Sequence, residues 1–90
     1  MSELEQTYIN ETVFLETDRD TVYIGTLTRI DAEVYQLDNL AIYSKAISQV
    51  SLEEFLIECA KYEIPVSRKQ TLIRRQRVIA ISLLSGVIIP

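Results

Sequence analysis

Three β-like segments with very short connections, between residues 12 and 44, constrain the fold of this chain more than any other feature. TVFLET at Thr12–Thr17 is rich in β-branched and aromatic residues and ends at the polar turn Asp18–Asp20. TVYIGTLTRID follows with a period of two, and EVYQLDNLAIYS continues after a turn at Asp31–Ala32. Strands joined so closely pair antiparallel, so the sequence predicts a β meander.

The rest of the chain adds a bend, one helix and two further strands. Gly25 interrupts the second strand and indicates a bend or bulge that lets the sheet curl. SLEEFLIECAKYE offers Ser51 as N-cap and apolar residues at helical spacing, which predicts an amphipathic helix over about residues 51–63. This helix packs on its own barrel, on a neighbouring subunit or on a partner protein. LIRRQRVIAISLL then has the composition of one strand, and VIIP that of a short terminal strand.

Ninety residues, 48% of them hydrophobic, suffice for a single core. We therefore predict a mainly β fold, a small five-stranded open barrel with one inserted α-helix. Residues 11–90 form this domain, and residues 1–10 are an N-terminal segment without a clear period, prone to fraying. An open barrel leaves apolar edge strands that another chain must cover, so a homo-oligomer is expected.

Composition also narrows the function classes. No apolar run approaches the roughly 18 residues of a membrane span, and Glu3 and Glu5 stand where an export signal would be basic. We therefore expect a soluble, cytoplasmic protein that binds no membrane. With no histidine and one cysteine, Cys59 on the apolar helix face, we expect no enzyme activity, metal, cofactor or small-molecule substrate.

Positive charge is concentrated in RKQTLIRRQR, residues 68–77. The net charge is -4, yet this segment holds five of the nine basic residues, and all thirteen acidic residues precede it. A charged strand edge that prevents aggregation, ion pairs within or between subunits, or a local anion-binding patch would each explain the arrangement. An acidic protein repels polyanions at long range, so only a concentrated patch would bind nucleic acid.

Two segments resemble the two halves of the Sm and Sm-like family signature. The first, GTLTRIDAEVYQLD, matches the family's spacing of glycine, apolar, apolar, aspartate and apolar residues at Gly25, Leu27, Ile30, Asp31 and Val34. In the second, IRRQRVIAI, Ile73 and Arg74 match the family's Ile-Arg-Gly-Asn motif, whereas Arg75 replaces the glycine and Gln76 the asparagine. The chain is thus similar to a divergent member of the family with a helix inserted between the motif halves.

The resemblance implies a barrel, of SH3 type, whose fourth and fifth strands pair with neighbouring copies to close a ring. Its oligomer-interface candidates are Val78, Ile79, Ile81, Val87, Ile88 and Ile89. It also implies that single-stranded RNA contacts the inner rim, with candidate residues Asp31, Tyr35, Arg74, Arg75 and Arg77. Glu33 stands where the family usually has a base-stacking residue, and Tyr35 where it has a base-reading asparagine. Weak binding or relaxed specificity follows, with Tyr35 as a sequence-tolerant stacking surface.

Three functions fit these observations. The chain is a ring-forming protein that binds single-stranded RNA at an arginine-lined rim, or a homo-oligomeric scaffold with the same fold and no RNA binding. A small barrel that binds a partner peptide by strand addition at residues 86–90 is the third. At the level of single residues, Tyr35 also fits a core or interface position, and Asp31 a turn residue that bonds its own backbone.

Overall fold

The computed structural model describes residues 3–90, in which five antiparallel strands form one curled sheet. The elements in chain order are α1 at Glu3–Gln6, β1 at Thr12–Thr17, β2 at Thr21–Ile30, β3 at Val34–Ser44, α2 at Leu52–Lys61, β4 at Arg68–Arg74 and β5 at Val78–Leu83. The strand order is β4-β3-β2-β1-β5, so β4 and β5 occupy the two edges. The predicted class, a mainly β open barrel of five strands with one inserted helix, is confirmed.

The sheet bends in the middle of the ladder that pairs β2 with β3. The register shifts between Ile24 and Thr26, opposite Asn39, which has a positive φ of 49°. Gly25 faces this bulge so closely that a Cβ there would lie 2.7 Å from the Leu40 Cβ, well inside van der Waals contact. The absence of a side chain at Gly25 therefore permits the bend, as the sequence predicts.

Curling divides the core into two clusters. The first cluster lies between the strands and consists of Val13, Leu15, Leu27, Tyr35, Leu37, Leu40 and Ile73. The second cluster lies beneath α2 and consists of Phe14, Val22, Ile24, Tyr43, Leu56, Cys59 and Leu84. Because Leu56 and Cys59 are 2% and 5% exposed, the inserted helix packs on its own barrel, the first of the three predicted alternatives.

Helix α2 begins as the sequence predicts. The Ser51 hydroxyl accepts a hydrogen bond from the backbone N–H of Glu54 at 3.1 Å, which satisfies one of the free N–H groups of the first turn. The helix ends at Lys61, two residues before the predicted limit, and Tyr62 is its C-cap. After Ile64, the chain turns tightly around Pro65, where the Val66 backbone N–H donates to the Ile64 carbonyl at 2.8 Å, and then enters β4.

The prediction for the last two strands is wrong. A 3-10 turn at Arg75–Arg77 divides the single strand predicted from LIRRQRVIAISLL into β4 and β5. Since β4 pairs with β3 and β5 pairs with β1, one continuous strand cannot make both ladders. Residues 87–90, predicted to be the terminal strand, follow a second 3-10 turn at Leu84–Gly86 and belong to no strand.

The N-terminal segment is attached to the barrel. Residues 1 and 2 of the predicted segment 1–10 lie outside the described residues, and α1 is a short helix that the sequence does not predict. Tyr8 and Ile9 pack against the first cluster. Asn10, at a positive φ of 70°, donates its backbone N–H to the Leu27 carbonyl at 2.6 Å. These contacts hold α1 beside the turns at one end of the sheet.

Candidate nucleic-acid interface and assembly edges

Asp31 organises the turn between β2 and β3. Its carboxylate accepts hydrogen bonds from the backbone N–H groups of Glu33 and Val34, both at 2.8 Å. These two bonds hold the pKa of Asp31 below its ordinary value. The side chain is thus committed to its own turn, and it presents the neighbouring Glu33 towards β4.

Arg74 lies at the end of β4, opposite this turn. Its guanidinium is 3.5 Å from the Glu33 carboxylate, and the two side chains are 65% and 78% exposed. Ala32, Glu33, Arg74, Arg75 and Gln76 line a hollow of about 230 Å³ between the two turns. Both predicted motif halves therefore meet here, and we call this hollow the rim hollow.

Arg75 points away from solvent into a cluster with Glu5 and Tyr35. Its Nη2 donates to the Glu5 carboxylate at 2.9 Å, and its guanidinium lies 4.9 Å from the centre of the Tyr35 ring. The Tyr35 hydroxyl donates to the other oxygen of Glu5. Burial and the Glu5 contact raise the pKa of Tyr35 to about 12. Tyr35 is only 5% exposed, so its ring offers no free face for a base in this conformation.

Arg77 lies at the far side of the same 3-10 turn. Its Nη1 is 3.2 Å from the Asp18 carboxylate, with the side chains 51% and 40% exposed. The backbone N–H of Asp18 also donates to the Arg77 carbonyl at 2.9 Å. The contact therefore ties the turn to the hairpin between β1 and β2.

Comparison with solved structures identifies the type of barrel. The chain is similar to the Sm protein of Pyrococcus abyssii in complex with a uridine heptamer, with a TM-score of 0.62 and 15% identity over 92% of this chain and 99% of that chain. The fold is Sm-like. Chains of two NatC crystal structures also share it, one bound to CoA with a TM-score of 0.60, 17% identity and coverage of 97% and 91%. The other NatC structure is bound to Gag peptide and CoA. Its chain matches with a TM-score of 0.57 and 16% identity over 88% of this chain and 89% of that chain.

No family model matches the sequence, and no curated protein matches it. Chains similar to this one thus occur in structures with quite different contents, an Sm protein in complex with a uridine heptamer and a NatC complex bound to CoA. A fold does not by itself specify a function, so the function of this chain depends on its own side chains.

The two edges of the Sm-like sheet differ in charge. Arg68 and Lys69 are exposed at the start of β4, whose outer edge pairs with no strand among residues 3–90. On the opposite side, an open groove of about 490 Å³ runs beside β5 and is bordered by Glu16 of β1 and Glu53 of α2. Each edge also exposes one apolar side chain, Leu72 at 58% and Ile79 at 70%.

The predicted interface residues are not equivalent. Ile79 faces solvent on β5, whereas Val78 and Ile81 are half-buried against the first cluster. Val87 packs against the second cluster, and Ile88 and Ile89 are 87% and 44% exposed in the tail that follows. Of the six predicted interface residues, Val78, Ile79 and Ile81 therefore lie on an edge strand, and Val87, Ile88 and Ile89 do not.

Glu5, which contacts Arg75 next to the rim hollow, was not predicted from the sequence. It is 30 residues from Tyr35 and 70 from Arg75, and no period connects it to either. The available signal lies in the departures from the family pattern. Tyr35 and Arg75 replace an asparagine and a glycine of the Sm-like motif together, and a partly buried arginine is stabilised by a nearby anion.

The other features of the described residues give no further candidate site. Within residues 3–90, no group of three or more acidic, cysteine or histidine side chains is placed to hold a metal ion. Across the same part of the chain, every helix is too short or too polar to cross a membrane. Burial raises the pKa of the Cys59 thiol, which fits its place in the second cluster.

Proposed function

We propose that this chain assembles head-to-tail with copies of itself into a closed ring, and that the ring contacts single-stranded RNA weakly, with relaxed sequence preference, through Arg74. The assembly follows from the two free edges. An unpaired edge strand with exposed apolar side chains invites pairing with another chain. Pairing β4 of one copy with β5 of the next is heterologous and makes a ring when the rotation closes.

Charge complementarity supports a second copy as the partner of each edge. An antiparallel junction brings the start of one β4 to the end of the next β5. Arg68 and Lys69 then approach the groove bordered by Glu16 and Glu53. Opposite charges favour this register and disfavour pairing of two like edges.

The observation that carries the RNA contact is the exposure of Arg74 at the rim hollow. Its pair with Glu33 joins two largely exposed side chains, and such pairs contribute between about 0 and 1 kcal/mol. A phosphate, which accepts two hydrogen bonds from one guanidinium, can compete for Arg74 at this small cost. The complex of an Sm protein with a uridine heptamer supports an Sm-like barrel as a suitable frame.

Charge-swap variants test the assembly. Arg68→Glu with Lys69→Glu makes both edges acidic, and Glu16→Lys with Glu53→Lys makes both basic. We expect each double variant to be monomeric by light scattering, and the equimolar mixture to assemble, because each edge again meets its opposite. Wild-type protein that stays monomeric at every concentration would remove the ring.

Fluorescence anisotropy with a labelled single-stranded oligoribonucleotide of mixed sequence tests the RNA contact. Arg74→Ala is expected to weaken binding roughly tenfold and to reduce its salt dependence. Lys61→Ala, which removes the same charge from α2, is the matched control and is expected to bind like wild type. Equal binding by Arg74→Ala and wild type contradicts the assigned role.

A homo-oligomeric scaffold without RNA binding is the second candidate. The ion pairs favour it, because Arg74, Arg75 and Arg77 each face an acidic side chain and the turn therefore has little excess positive charge. Assembly without any RNA binding at low salt selects this candidate over the first.

A further inference from the structure

The cluster of Arg75, Tyr35 and Glu5 has the composition of an occupied anion site. Two donors converge on one carboxylate: Arg75 Nη2 at 2.9 Å from one oxygen, and the Tyr35 hydroxyl on the other. The side chains of Arg75 and Glu5 are 24% and 14% exposed. Donors of this kind, shielded from water, bind a carboxylate or a phosphate oxygen by the same charge-assisted hydrogen bonds.

The donors are held in place independently of Glu5. Arg75 Nη1 donates to the Asp31 carbonyl at 3.3 Å, and the Arg75 backbone N–H donates to the Glu33 carbonyl at 2.9 Å. The Tyr35 ring lies beneath the guanidinium and belongs to the first cluster. Contacts with barrel residues therefore orient the Arg75 guanidinium and the Tyr35 ring, and we expect both to keep their positions if the carboxylate leaves.

The carboxylate, in contrast, is supplied by a very short helix outside the sheet. α1 has four residues, too few to be stable as an isolated helix. Its contacts with the barrel include the packing of Tyr8 and Ile9, the backbone bond from Asn10 to Leu27, and the contacts of Glu5 itself. Leu4, the apolar residue within α1, is 78% exposed and adds little burial.

We infer that Arg75 and Tyr35 form a second phosphate-binding position of the rim, which Glu5 occupies in the isolated chain and which single-stranded RNA occupies when α1 moves away. The inference rests on the proposed RNA contact at Arg74. Both arginines line the rim hollow, so a strand bound at Arg74 lies next to the second position. The N-terminal segment then limits RNA affinity by competing for Arg75.

Two isosteric variants test the competition. Glu5→Gln removes the competing charge but keeps the shape of the side chain, and Glu3→Gln removes the same charge from the exposed start of α1. With the labelled oligoribonucleotide, Glu5→Gln is expected to bind roughly tenfold more tightly than wild type and with a steeper salt dependence. Glu3→Gln is expected to change affinity much less.

The source of the gain is identified by a further substitution. Adding Arg75→Ala to Glu5→Gln is expected to return the affinity to the wild-type value or below it, because the freed site is then missing. If Glu5→Gln alters folding, Glu5→Asp offers a second comparison. It retains the charge but is too short to reach both donors, so an intermediate gain is expected.

The outcomes separate this inference from the proposed function. RNA binding that depends on Arg74 but is equal in Glu5→Gln and Glu3→Gln overturns the competition and leaves the RNA contact standing. A gain in Glu5→Gln that survives Arg75→Ala also overturns it, since the charge of α1 then acts at a distance. No binding at low salt by wild type or by Glu5→Gln removes both ideas.

Discussion

The basic segment 68–77 contains two regions that differ in whether their positive side chains form ion pairs. At the start of β4, Arg68 and Lys69 are exposed, and the described residues include no acidic side chain in an ion pair with either. In the turn after β4, Arg74, Arg75 and Arg77 each lie within 3.5 Å of a carboxylate oxygen. A run of basic residues in the sequence is therefore not one electrostatic patch. The unpaired charge lies at the strand edge, and the turn uses its charge mainly within the chain.

The largest effect on stability is expected from Arg75→Ala. The substitution removes the guanidinium from the carboxylate of Glu5, which is only 14% exposed, and from the face of the Tyr35 ring. Loss of a hydrogen bond to a shielded charged group costs about 1–3 kcal/mol, so we expect the free energy of unfolding to fall by about 2 kcal/mol. Urea denaturation of dilute protein measures it. A loss no larger than that of Arg74→Ala contradicts the distinction between the two arginines.

The next effect is expected from Tyr35→Phe, at about 1 kcal/mol near neutral pH, because one hydrogen bond to Glu5 is lost. Burial and Glu5 raise the pKa of Tyr35 from 10 to about 12, so the folded chain retains this proton after the unfolded chain has lost it. The stabilisation is therefore complete below pH 10 and lost as the pH rises towards 12. Unfolding measured across this range should show the difference between wild type and Tyr35→Phe shrinking. A constant difference contradicts the assignment.

Smaller effects are expected from Arg77→Ala and Arg74→Ala. Their ion pairs join side chains that are 40% to 78% exposed, where solvent screens the attraction. We expect the free energy of unfolding to change by about 0.5 kcal/mol or less in each. Added salt should narrow the difference from wild type further. A loss as large as that of Arg75→Ala would mean that all three pairs act as one network.

The smallest effect on the stability of a single copy is expected from Arg68→Ala with Lys69→Ala. Exposed side chains without partners contribute within about 0.5 kcal/mol. Denaturation below the concentration of assembly should therefore match wild type, whereas concentrated protein should lose the stability that association provides. If the double variant associates as strongly as wild type, the charges of Arg68 and Lys69 contribute to solubility and not to assembly.

Local signals in the sequence predicted the elements whose causes are local. The residues of β1 match the predicted segment TVFLET, Ser51 is the N-cap of α2, and Gly25 lies at a bend. The turn at Arg75–Arg77 was missed because it contains no glycine, proline or asparagine, the usual signals of a turn. The turn is required instead because β4 pairs with β3 whereas β5 pairs with β1.

The part of the candidate site that depends on strand pairing was predicted from the sequence, and the part that depends on distant contacts was not. Glu33 and Arg74 face each other because the ladder of β3 and β4 ends between Val34 and Arg74, at the two motif halves. The occupation of Arg75 by Glu5 depends on how the N-terminal segment crosses the barrel, which no local pattern encodes. Tyr35 packs in the first cluster and donates its hydroxyl to Glu5, so a residue expected to stack on bases belongs to the core.

The short turn between β4 and β5 has a mechanical consequence. These strands lie at opposite edges of the sheet, yet a 3-10 turn of three residues joins them, so their ends are within roughly 8 Å. The two edge strands are therefore held close together at this turn, whereas no ladder joins them elsewhere within residues 3–90. Heating should separate the far ends of β4 and β5 first, and the arginine turn, bound through its backbone to Glu33 and Asp18, should separate last.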